Sequence, residues 1–205
     1  MNKTILVAFA AITLVTAAAR ASNQSDCHST KEPAVALVAC ADIIANEQSD
    51  AKMRALAYAV RGKLYHRAGD FDTAIAELTR GIELDRHYAV LFSSRGASYV
   101  GKGDAERAIA DFTEAIRLDP KDLEPFVNRA VIHFGANDHA HALADMDAAI
   151  RLAPKMAMLY TYRAKMHLDA GDAEKAAADF RQVLKLDPGN KEAAAMLSDL
   201  GMGAK

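Results

Sequence analysis

The side chains with the most scope for chemistry lie close together: His133, Asp138, His139 and His141. Imidazole and carboxylate donors at such short range could hold a divalent metal. His139 and His141, however, stand two apart on an expected helix, and side chains at that spacing do not share a face. No phosphate loop, nucleophile elbow or HExxH pair occurs in the chain. The many acidic residues fall on expected helix faces rather than in a catalytic grouping. The sequence is therefore read as a non-enzyme, with no catalytic residue, no metal and no cofactor.

Cys27 and Cys40 are the remaining reactive groups. What precedes them bears on their state. Lys3 gives a short positive start, Ile5 to Ala18 is apolar apart from Thr13 and Thr16, and Ala19-Arg20-Ala21 follows as a small-x-small cleavage pattern. Residues 1–21 read as a secretory signal peptide cut after Ala21, and the expected location is periplasmic or secreted. An apolar run of that length is short for the ~20 residues of a bilayer span, which argues against an uncleaved anchor. In an exported chain an even cysteine count favours a Cys27–Cys40 disulfide over two unrelated buried thiols.

These groups must be positioned by a scaffold, and the chain repeats itself. Gly-Asp occurs at Gly69-Asp70, Gly103-Asp104 and Gly171-Asp172, with Asn137-Asp138 filling the gap, always 34 residues apart. The columns Ala74/Ala108/Ala142/Ala176, Leu84/Leu118/Leu152/Leu186 and Arg61/Arg95/Arg129/Arg163 keep the same period, as do Pro120, Pro154 and Pro188. Each unit reads as two helices. Ala108, Phe112, Ala115 and Ile116 make a helical apolar stripe. The aspartate of each Gly-Asp stands where a helix N-cap belongs, and the proline closes the second helix. Gly62, Gly96, Ala130 and Ala164 are small enough for the two helices to approach closely. Tyr58, Phe92, Phe126 and Tyr160, with Leu78, Phe112, Met146 and Phe180, fill the rest. The column of Tyr65 and Tyr99 continues as His133 and His167, which gives those histidines a packing duty without a ligand.

A 34-residue helix-turn-helix with small, aromatic and proline columns at these spacings resembles the tetratricopeptide repeat. The resemblance covers residues 55–190 in four repeats, 55–88, 89–122, 123–156 and 157–190. The expected fold is all-α, a right-handed α-α superhelix (solenoid) with capping helices at both ends. Residues 22–54 form the N-terminal capping segment, a helix from Pro33 carrying Ala34, Leu37, Val38, Ala41 and Ile44, with Cys40 and Ile44 in the columns of Ala74 and Leu78. Residues 191–205 form the C-terminal capping helix and tail, packed through Ala194, Leu197 and Leu200. Composition agrees: 205 residues suit a single domain, and 51% hydrophobic with 25% charged residues is ordinary for a globular chain. A net charge of −2 offers no basic patch for nucleic acid.

Function is what the resemblance implies. In the family the first helices line a concave groove that takes a peptide or a helix. Carried over by column, the groove residues are Lys63 and His66, then Ser94 and Ala97, then Asn128, Val131 and Phe134, then Tyr162 and Lys165. Phe134 is expected to be an apolar anchor, or else to pack on Leu168. Ala59, Ser94 and Glu124 occupy columns where the carboxylate-gripping subclass has cations or amides, so a terminal carboxylate is not the expected ligand. Where the family often has apolar residues, Arg61, Arg95, Arg129 and Arg163 are matched by Glu77, Asp111, Asp145 and Asp179, which predicts one ion pair per repeat. The function expected is a protein- or peptide-binding scaffold. The alternative is a structural or self-assembling subunit of a cell-envelope complex, with a homo-oligomer allowed.

Overall fold

In the computed structural model the described residues are 25–27 and 32–203. The expected signal segment and its cleavage point lie outside them. Ten helices organise the described chain: α1 (Pro33–Ala45), α2 (Ala51–Arg67), α3 (Phe71–Leu84), α4 (Ala89–Gly101), α5 (Ala105–Leu118), α6 (Glu124–Gly135), α7 (His139–Leu152), α8 (Ala157–Asp169), α9 (Ala173–Leu186) and α10 (Lys191–Asp199). The helices fall into two compact units, Met1–Asp104 and Ala105–Lys205.

The turn within each helix pair is set by backbone geometry. Gly69, Gly103 and Gly171 take φ of 81°, 76° and 82°, and Asn137 takes 59° in the repeat without the glycine. Asparagine is among the few side chains that tolerate this left-handed region. The following aspartate then starts the second helix. Asp70, Asp138 and Asp172 accept from the backbone N–H of Thr73, His141 and Lys175, filling an otherwise orphan donor of the first turn.

The second helices stop at the leucine column, but proline is not the general cause. α3 ends at Leu84 although Arg86 stands in the proline column. Asp85 instead folds its carboxylate onto the N–H of His87 at 2.9 Å, and Asp119 and Asp187 make the same turn with Lys121 and Gly189.

Packing follows the repeat columns. Ala74, Ala108, Ala142 and Ala176 are fully buried, as are Leu78, Phe112, Met146 and Phe180. Gly62 has no room for a side chain, because a Cβ there would run into the Leu78 isobutyl group. In the second unit one cluster joins α6, α7 and α8 through Ala130, Met146, Ile150, Leu159 and Met166. A second cluster joins α8 and α9 to α10 through Ala164, Phe180, Val183, Ala193 and Leu197.

The flanking helices pack through part of the expected set: Leu197 is fully buried, and Ile44 and Leu200 pack against the core, but Ala34, Val38 and Ala194 do not. α1 buries Ala36, Ala39, Cys40 and Ile43, whereas Ala34 and Val38 are exposed. The helix is apolar nearly all round, so its sequence period carries little phase. Cys40 supplies it: the Cys27–Cys40 disulfide is formed and both residues are fully buried. In α10 it is Ala193, not Ala194, that joins Leu197 in the core. Among the described residues no helix is long and apolar enough to cross a membrane.

Candidate functional site: the first-helix face

The arginine column fixes the orientation of the first helices. In the first unit Arg61 Nε lies 2.9 Å from Glu77, a carboxylate almost wholly buried and also held by Arg80. In the second unit Arg129 donates through Nε and Nη2 to Asp145 at 2.8 and 2.7 Å. Arg163 does the same to Asp179 at 2.8 and 2.6 Å. Such two-pronged pairs fix rotation as well as separation. The guanidiniums also reach backward to the preceding second helix. Arg95 donates to Thr79, Arg129 to Thr113 and Arg163 to Asp147. The sequence suggested the forward partners only. Arg95 and Arg163 also lie over the rings of Phe92 and Tyr160.

With one side of each first helix committed to these contacts, the expected groove columns divide into three kinds. Val131 and Tyr162 are exposed, at 48% and 37%, and Met158 on α8 joins them at 52%. Lys63 is exposed as well. Lys165 is exposed but paired with Glu192 of α10 at 2.7 Å. Asn128 and His66 are half-buried, and His66 Nδ1 lies 3.2 Å from Ser98 Oγ. Ser94 is buried at 8% exposure and offers a ligand little surface. Ala59, at 2%, offers none.

Of its two expected roles Phe134 takes the packing one, though its neighbours are those of α6, α7 and α8 around Met146. It is half-buried, packs against the Ala130–Met146–Met166 cluster, and tilts against the His139 ring at 6.2 Å. It therefore carries core duty, and Val131, one turn earlier, is the more exposed apolar residue of α6. Met158, one turn before Tyr162, stands in the column of Leu56, Val90 and Glu124, which is not among the groove columns carried over from the family.

The histidines also regroup. His139 points to Asp169 of α8, with Nε2 3.6 Å from a carboxylate oxygen. His141 instead meets His133 across the turn, their rings stacked 5.1 Å apart. Both present Nδ1 to Asp138, whose carboxyl is held below its ordinary range chiefly by hydrogen bonds from His141. His167 is pushed below the usual histidine range, mainly by burial. It lines an open cleft of about 430 Å³ with Leu143, Asp147, Arg163, Lys175 and Asp179. Within the cleft Arg163 is bonded to both Asp147 and Asp179.

The first helices of the second unit thus present Val131, Met158 and Tyr162 as exposed apolar side chains. Comparison with known proteins agrees on the fold. MamA (residues 41-end) from Desulfovibrio magneticus RS-1 superposes with a TM-score of 0.72 at 16% identity, over 85% of this chain and 97% of that one. YrrB, described as a TPR protein with an unusual peptide-binding site, gives 0.62 at 20% identity over 72% and 78%. The first TPR of Spaghetti (RPAP3) bound to the HSP90 peptide SRMEEVD gives 0.52 at 27% identity over 57% and 93%. No curated protein sequence matches the chain. The family described as the ETO1 C-terminal domain matches residues 36–200, and this all-helical tetratricopeptide-repeat chain belongs to it.

Proposed function

We propose that the chain is a non-enzymatic scaffold that holds a protein or peptide partner on the exposed faces of its first helices. The observation that carries the reading is the set Val131, Met158 and Tyr162, three large apolar side chains left in water on α6 and α8 of one unit. Each is still about half exposed, so burying the remainder against a partner returns about 1 kcal/mol apiece, and aromatic anchors tend to dominate such interfaces. Asn128, half-buried on α6 of the same unit, supplies a polar contact, and Lys63 is an exposed polar residue on the first-helix face of the first unit. Of the similar structures, YrrB has a peptide-binding site and the first TPR of Spaghetti holds a peptide, which supports the class of partner. The carboxylate-gripping mode is not part of the proposal, since Ala59 and Ser94 are buried and carry no charge.

Export completes the reading. The signal-like residues 1–21 and the Cys27–Cys40 disulfide support a periplasmic or secreted protein, because disulfides persist in oxidising compartments. The proposed organisation is a capping segment over 22–54, four repeats over 55–190 and a capping tail over 191–205.

Photo-crosslinking in cells tests the interface. A probe at Val131 or Met158 should give the same discrete adduct, and a probe at exposed Glu174 on α9 should not. Equal labelling from all three positions would remove the first-helix face as the interface.

A further inference from the structure

Three side chains of the third repeat make a grouping that the other repeats lack. The equivalent positions read Tyr65, Asp70 and Thr73 in the first repeat, then Tyr99, Asp104 and Arg107 in the second. The fourth has His167, Asp172 and Lys175. Only the third, with His133, Asp138 and His141, has a metal-ligating side chain at all three. His133 sits in the last turn of α6, Asp138 caps α7, and His141 lies in the first turn of α7. The left-handed Asn137 folds the chain so that they meet.

Asp138 Oδ2 lies 2.7 Å from His141 Nδ1 and 3.3 Å from His133 Nδ1, and one donor atom from each residue falls within 4.8 Å of the others. Ligands bonded at about 2.0–2.1 Å to one tetrahedral ion stand roughly 3.4 Å apart. Small side-chain rotations therefore bring all three onto a common cation. The other oxygen, Oδ1, already accepts the His141 N–H and holds the carboxylate in place, a supporting bond of the kind that preorganises metal ligands. Two nitrogens and one oxygen suit zinc and its first-row neighbours better than calcium or magnesium. His141 is 72% exposed in its side chain, so the remaining coordination positions face solvent.

We propose that His133, Asp138 and His141 form a binding site for a zinc-class divalent cation that clips α6 to α7 in the third repeat. The site is independent of the partner-binding face. The test uses tag-free, chelator-treated full chain. Calorimetry with zinc and visible absorption with cobalt(II) should each report one site per chain. His141→Ala should weaken zinc binding by at least about tenfold, as should Asp138→Asn, since loss of even a supporting group commonly costs that much. Asparagine keeps the N-cap, and His141 is exposed, so both variants should melt like the wild type without metal. Zinc should raise the wild-type melting temperature and leave theirs unmoved. No binding by the wild type would overturn the proposal. So would binding that both variants retain, which would be adventitious coordination by other histidines.

Discussion

Arg163 ties together two acids that lie sixteen residues before and after it: Nη1 donates to Asp147, while Nε and Nη2 hold Asp179. One side chain on α8 thereby spans the second helices of its own repeat and the preceding one. The two bonds differ in weight. Asp179 is buried to 7% side-chain exposure and Asp147 is open at 48%. Removing the guanidinium leaves Asp179 charged, desolvated and unpaired. Arg163→Met should therefore cost about 3 kcal/mol, measured by urea unfolding, whereas Asp147→Ala should cost about 1 kcal/mol or less. Arg163→Met combined with Asp179→Leu should recover most of the loss. A double variant as unstable as the single would show that the pair is not the cause.

The forward arginine partners were legible because both members of the pair keep the 34-residue period. The backward partners Thr79, Thr113 and Asp147 share a column too, but its chemistry changes from hydroxyl to carboxylate, so it does not stand out. Phase was the other gap. The stripe of α5 is cut by charges and reads unambiguously, whereas α1 is apolar on most sides and took its inward face from the Cys40 bridge. His133 and His141 stand eight apart across a left-handed turn, where helical spacing rules do not apply. Phe134 and Val131 lie three apart on one helix. Periodicity alone could not say which was the more buried.

The disulfide closes a separation of 13 residues between two fully buried cysteines. Cys40→Ser should lower stability by about 3 kcal/mol on the chain-entropy estimate. Reducing the wild type should give the same loss, and an unchanged denaturation midpoint would count against the bridge. Protein recovered from the envelope should lack residues 1–21 by intact mass and carry no free thiol. Retention of those residues would count against export.

His167 makes stability depend on pH in a definite direction. Burial lowers its pKa, with Arg163 and Lys175 acting in the same sense and Asp179 and Asp172 opposing. The unfolded histidine takes up its proton near pH 6.5, while the folded one resists. Unfolding is therefore increasingly favoured as pH falls below about 6.5, until the folded pKa is passed, and the penalty is absent at higher pH. His167→Tyr restores the residue type of Tyr65 and Tyr99 in this column and removes the titration. Between pH 7 and 5 its melting temperature should fall less than that of the wild type. Parallel curves would place the acid sensitivity elsewhere.

Binding and architecture can be separated at the first-helix face. Val131 and Tyr162 are exposed, whereas Phe134, on the same helix as Val131, packs into the cluster that holds Met146 and Met166. Phe134→Ala should therefore act on stability. A half-buried ring lost from a core edge should cost about 2 kcal/mol, seen as a fall of several degrees in melting temperature. Val131→Ser with Tyr162→Ser removes exposed apolar surface only, so the fold should melt within a degree or two of wild type. If the pair anchors a partner, its loss should weaken capture by about tenfold or more, since the still-exposed half of each side chain contributes about 1 kcal/mol when buried. Comparing the two variants excludes indirect effects, because a capture defect in the double variant cannot then be assigned to unfolding. Undiminished capture by a stable double variant would place the partner on another surface.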